Sequence, residues 1–580
     1  MKNIIVIITT IVCITLSSCD DFLEKVPLDS YSVATVFQTE QDIHFALNGL
    51  YRQIPGFQGS ALVGSELIYT HWTDQAFDRN KAYRSSDLDF SPSKSVVNAE
   101  YGPRYTTIRD VNEFLARAPQ AKVNFADKDL FDRYIAEARF VRAVHYARLN
   151  FLFGEVPLLT EPTEPDYFPK RATREKVFNF VNTELTEIAD ILPEKYDNQG
   201  DEVRITAGAA LAIKARHNLN AIDWHPNISE LYANAADAAG KVYNMDYSLD
   251  QGVNGFQKLF TRASANGACN GAILTVNYDR DFKSHPYQTV ISPKGAFCGT
   301  KKNNTNFVGA SSITVESFQM LVNGLDVHDP ASAYDPANPW QGRDPRLDIT
   351  ILRAGEIIPI KGGNGVSDLY IFDAHPKVNP VDTLQDGTII KGVKTDDVTK
   401  SGINKTGYNY QKYMDFDFIT PGEGDIQYHF VRYAEVILMY AEAVLGKNGD
   451  IALAMSLVNE VRDRVGMPDV NTSYGGVSGT AQALDIILKE RVFEFALEGP
   501  QRYFDIRRHR LGEQVFADKN VYGIPLGKNR KPDAKVNEGD LDSSKKVIAG
   551  TKNFDPSTYY KWSIPLKATD ANPNLLEAPE

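Results

Sequence analysis

Hydrophobic positions along the chain fall into two regimes. From about residue 40 to 245, and again from about 428 to 510, apolar residues recur at helical spacing. Between them, residues 251 to 427 are dense in Gly, Asn, Asp and Pro, with short strand-like runs such as Ala272 to Val276 and Ile349 to Leu352. In the second helical stretch, Ala434, Leu438, Ala441 and Leu445 form one stripe. A break at Gly446 to Gly449 follows, Asp450 is placed to cap, and Ile451, Ala454, Val458, Val461 and Val465 form the partner stripe. This predicts a helical hairpin of tetratricopeptide-repeat size. Ala207 to Tyr243, broken near Trp224 to Asn227, predicts another. A helix over Phe131 to Leu152 places His145 on an apolar face, as a satisfied core residue and not a ligand. The fold class is therefore mainly α: helical hairpins form a scaffold, and a large irregular region with short strands is laid over it.

The first residues follow another pattern. Lys2, an apolar run from Ile4 to Leu16, then Ser17, Ser18 and Cys19 read as a secretory signal, too short to span a bilayer as a helix. Leu16-Ser17-Ser18-Cys19 resembles a bacterial lipobox, which implies removal of residues 1–18 and lipidation of the Cys19 thiol. Asp20 and Asp21 resemble the acidic tag that directs lipoproteins of Bacteroidetes-type bacteria to the outer face of the outer membrane. Residues 19–580 are expected to form one fold. Of the remaining cysteines, Cys13 leaves with the signal, while Cys269 and Cys298 stand either as a disulfide in an oxidising compartment or as two free thiols.

Composition narrows the function. Hydrophobic residues make up 43% of the 580 and charged residues 24%, enough to bury a large core. The net charge of -13 without a basic run argues against nucleic acid as a partner. No metal-ligand spacing, nucleophile elbow or phosphate loop is recognisable, so neither a metal nor a cofactor is expected. Glu490, Glu494 and Glu498 share one helical face, and Glu490 with Glu494 could serve a glycoside hydrolase. Arg491, Arg502, Arg507 and Arg508 crowd the same segment, however, which favours a structural ion-pair network.

The aromatic residues point toward sugars, whose flat C–H faces stack on exposed rings. Trp72 and Trp340 each lie in a polar, aperiodic stretch, whereas Trp224 and Trp562 read as core. The predicted ligand site uses Trp72 and Trp340 as platforms, Tyr83 as a third ring, and Asp74 and Arg79 as hydrogen-bonding groups.

Several motifs carry a family resemblance. Ala136-Glu137-Ala138-Arg139-Phe140-Val141-Arg142-Ala143 leads through Tyr146 to Phe153-Gly154-Glu155-Val156-Pro157-Leu158. A second signature runs from Arg432-Tyr433-Ala434-Glu435 to Ala443 and continues in Asn459-Glu460-Val461-Arg462-Asp463-Arg464. A third runs from Glu490-Arg491 through Glu498-Gly499 to Arg502-Tyr503-Phe504-Asp505-Ile506-Arg507-Arg508. Together, and in this order, they resemble the SusD/RagB family of surface nutrient-binding lipoproteins. Glu155 stands where that family usually has Asp, and its usual C-terminal tail is not visible. The resemblance implies a tetratricopeptide-like scaffold, a SusC-like TonB-dependent transporter as partner, oligosaccharides as ligands and no enzymatic activity. A peptide-binding module on the same scaffold is the alternative it leaves open.

Overall fold

A computed structural model describes residues 37–57, 65–78, 88–164, 167–197, 201, 203–264, 268–287, 291, 308–352, 404–415, 424–525 and 540–580. It adds the backbone of four short strands between 357 and 391. Helices dominate. We number those used below α1 (Glu40–Tyr51), α2 (Ser95–Arg117), α3 (Lys128–Phe153), α4 (Arg174–Ile191), α5 (Ala207–Leu219), α6 (Ile228–Tyr243), α7 (Tyr433–Asn448), α8 (Ile451–Asp463), α9 (Thr480–Phe495), α10 (Gln501–Arg508) and α11 (Leu566–Ala571).

From α2 to α6 each helix packs on the next, and α6 packs on α7, which packs on α8. One continuous row of hairpins is thus built from two separated sequence blocks. Local chemistry sets the helix starts: the side chains of Asp127, Thr173, Thr206, Asn227 and Asp450 each accept a backbone N–H of the first turn of α3, α4, α5, α6 and α8. Thr39 and Asp42 close a capping box on α1. Gly449 ends α7 in the left-handed region, at φ 72°. Gly446, expected within the break, instead lies inside α7. A Cβ there would meet the Tyr232 ring at 2.4 Å, so its absence lets α6 and α7 approach closely.

The strands among the described residues pair as two-stranded antiparallel sheets, in and beyond the irregular block. β1 (Ala76–Asp78) pairs with β3 (Val308–Ala310), β2 (Ala272–Val276) with β6 (Tyr428–Arg432), β4 (Ile351–Leu352) with β5 (Asn409–Tyr410), and β7 (Asn520–Pro525) with β8 (Lys546–Thr551). The β2–β6 pair ties the irregular block to the start of α7. Ile349, expected in a strand, ends instead in the short helix Arg346–Thr350.

Buried charge holds the scaffold to the block. Glu490, Glu494 and Glu498 are buried and fully engaged. Arg346 reaches Asp344, Glu490 and Glu494, and Arg432 reaches Glu494 and Glu498. Arg462 bonds Glu490, Arg464 bonds Glu494, and Lys412 bonds Glu498 at 2.7 Å. Burial opposes ionisation of Glu494, yet Arg464, Arg432 and Arg346 outweigh it and hold the carboxyl far below its usual range. All three carboxylates are therefore buried and paired with arginine or lysine. A second lattice joins Arg491, Asp505, Arg508, Glu442 and His509. His145 is a core residue: its Nε2 donates to the Gln53 carbonyl, and burial lowers its pKa to about 3.

Candidate functional site

Trp72 is not a platform. It is fully buried on a 3-10 turn, Glu66–Trp72, edge-on to Tyr69, Phe90, Tyr503 and Trp562 at centroid distances of 4.5 to 5.5 Å. Its polar flanks misled because their partners come from the far end of the chain. The buried Lys552 ammonium donates to the carbonyls of His71 and Thr73, and Tyr559 donates to that of Trp72. Asp74 is likewise committed. Arg502 grips its carboxylate with two bonds of 3.0 and 2.8 Å; this outweighs burial and lowers its pKa. Trp340 is half-buried, with its ring edge toward Tyr408 at 6.3 Å, and its loop is pinned by Arg343, which donates to three carbonyls. Trp562 is core as expected, while Trp224 is only half-buried, under the Arg174 guanidinium at 4.2 Å. Arg79, Tyr83, Cys19, Asp20, Asp21 and Cys298 lie outside the described residues. Cys269 is a buried free thiol, pushed up to about 11 by burial and by Asp250.

The irregular block holds a different constellation, which sequence reasoning missed. A pocket of about 330 Å³ is lined by Gln257, Phe260, Arg262, Gln411, Lys412 and Asp415, among others. Two of these, Arg262 and Asp415, alternate with Arg280 and Asp425 in one ion-paired group. Arg262 bonds Asp415 at 2.5 Å and Asp425 at 3.0 Å, while Arg280 bonds Asp425 at 3.0 Å and lies 3.6 Å from Asp415. Both arginines are solvent-accessible, their side chains 38% and 27% exposed. Ion pairs so placed add little to stability, about 0–1 kcal/mol each. They do hold four charged groups in a fixed array that can donate to and accept from hydroxyls. Lys412 forms part of the floor. It is buried between the Phe256 and Phe260 rings and bonded to Glu498, and burial lowers its pKa to about 8 despite that carboxylate. The pocket thus rests on the buried ion lattice.

Arg280 belongs to the turn Asp279-Arg280-Asp281-Phe282-Lys283, which leaves β2. Two backbone bonds of 2.9 Å between Asp279 and Lys283 close it, and the Asp279 carboxylate accepts from the N–H groups of Asp281 and Phe282. Phe282 at its tip is 86% exposed, the most exposed large hydrophobic among the described residues. A ring so displayed forgoes burial worth about 1.5–3 kcal/mol, on a turn that its own hydrogen bonds hold in shape. The usable signal is one aromatic residue inside a four-charge run, Asp279-Arg280-Asp281-Phe282-Lys283.

Among the described residues no helix is long and apolar enough to cross a membrane, and no group of three or more His, Cys, Asp or Glu could hold a metal ion. Fold and site therefore describe a helical scaffold that carries a polar pocket and a displayed ring. Comparison with known proteins makes this specific. The SusD family profile matches residues 270–580, and a second profile, described as starch-binding and associating with the outer membrane, matches residues 21–219. The chain belongs to the SusD family. SusD-like protein P2 of Formosa agariphila is 25% identical over 535 residues, covering 89% of this chain and 92% of that protein. A SusD-like protein of Bacteroides fragilis superposes with a TM-score of 0.74 at 21% identity, covering 95% of this chain and 99% of that one. Another from the same organism, described as carbohydrate-binding, gives 0.73 at 24% identity, with 93% and 99% covered. At these identities the superpositions speak for the fold alone.

Proposed function

We propose that this protein is a cell-surface lipoprotein that binds oligosaccharides or polysaccharide fragments and passes them to a SusC-like TonB-dependent outer-membrane transporter, without altering them chemically. The observation that carries the binding reading is the exposed Phe282 ring on its tied turn, beside the Arg262–Asp415–Arg280–Asp425 array. Stacking on a ring favours the C–H face of a sugar, and charge-assisted bonds orient its hydroxyls. A non-catalytic role is supported by Glu490, Glu494 and Glu498, each consumed by arginine or lysine. The partner, the Cys19 anchor and the outward orientation rest on family membership and on the N-terminal signal.

A glycan array probed with the purified protein, beside a peptide array, tests the ligand class. Saccharide signals without peptide signals are expected; the reverse pattern would establish the peptide module instead. Incubation with each bound polysaccharide should release no reducing ends. Cys19→Ala should leave the membrane fraction, and the native protein should bring the transporter down with it from detergent extracts.

A further inference from the structure

A larger groove, about 1040 Å³, lies between α2 and α11 and shares no lining residue with the pocket described above. One wall is the face of α2 that carries Asn98, Gly102, Tyr105 and Thr106. Gly102 and Pro103 are the two residue types least suited to a helix interior, yet they sit within the 23 residues of α2. Pro103 has no N–H to give the carbonyl of Ala99, which also lines the groove. Arg104 and His145 line it too. Each is more than nine-tenths buried, and Arg104 Nε and His145 Nδ1 have no hydrogen-bond partner. Buried polar atoms are rarely left so without reason.

A chain of contacts leads from one end of the groove toward the Phe282 turn. Pro55 lines that end, and beside it the Phe57 N–H donates to Tyr278 Oη at 2.6 Å. The Lys283 ammonium lies over the same Tyr278 ring, 5.0 Å from its centroid. Arg52, also at this end, adds to the burial that lowers the Lys283 pKa to about 8.

We propose that the groove is a second saccharide subsite, continuous with the Phe282 turn, that takes the further units of a chain whose first units stack on Phe282. The inference rests on the saccharide-binding reading above and adds length selection to it. Tyrosine and proline surfaces with amide and hydroxyl groups between them match the C–H faces and hydroxyls of a sugar chain.

The test uses Gly102→Trp. A Cβ at Gly102 meets no atom within 4 Å, and its φ is not in the left-handed region, so the new ring can fill the groove while the fold persists. Affinities are measured for wild type, Gly102→Trp and Phe282→Ala, with length-graded oligosaccharides of each polysaccharide that binds on the array. Gly102→Trp should bind the longest members about tenfold more weakly, bind the disaccharide as wild type does, and melt no lower. Phe282→Ala should weaken every length. If Gly102→Trp binds long chains normally, or if wild-type affinity does not rise with length, the subsite is wrong while the Phe282 site stands. Peptide signals alone on the array would overturn both, as would wild-type protein that binds no saccharide.

Discussion

At the residue scale, Trp72 and Phe282 share polar surroundings in sequence and part company in the fold. Trp72 stands among polar residues and is core; Phe282 stands among charges and is displayed. A polar stretch was legible in both cases. What distinguishes them is whether distant groups, here Lys552, Tyr559 and Arg502, arrive to satisfy the polar atoms and exclude water. Such partners lie more than 400 residues away, beyond any local pattern. Trp72→Ala should therefore act on folding, with a loss of about 3–5 kcal/mol in urea unfolding, the range for deleting a buried aromatic. An unchanged denaturation midpoint would return Trp72 to the surface.

At the element scale the hairpins were readable, although α7 runs through Gly446 to Asn448 and α8 stops at Asp463, short of Val465. The Gly449 stop, the Asp450 cap and both apolar stripes of α7 and α8 follow from residues a few positions apart. The spacing of Glu490, Glu494 and Glu498 was readable too, along with the expectation of an ion network. Most of its partners were not the neighbouring arginines: Arg346, Arg432, Arg464 and Lys412 come from other elements. Glu494→Gln removes the charge at the centre of this lattice and leaves three buried arginines undercompensated. A loss of about 3–5 kcal/mol in unfolding free energy is expected, without new hydrolytic activity in either protein. A neutral Glu494→Gln variant would mean that the lattice is not holding the block to the scaffold.

At the scale of the whole molecule, one row of helices is assembled across a long insertion, and its interior fixes the response to pH. His145, His217, His285 and His429 are all buried, and burial lowers their pKa values to about 3 or 4 from the ordinary 6.5. In the window between 6.5 and about 4 the unfolded chain takes up protons at these sites and the folded chain does not. Stability should thus be complete above pH 6.5 and fall as pH drops, each histidine contributing up to about 1.4 kcal/mol per pH unit. Urea midpoints across that window check this, and His429→Gln should flatten the slope. A midpoint that rises on acidification would contradict it.

The central claim is a saccharide site built on the Phe282 turn and the adjoining arginine–aspartate array. Its most direct test is calorimetric titration of wild type and Phe282→Ala with the saccharide that gives the strongest array signal, alongside their melting temperatures. The account predicts binding by wild type, a loss of about 1–3 kcal/mol of affinity on removal of the ring, and equal melting temperatures. Equal affinity in the two proteins would contradict it.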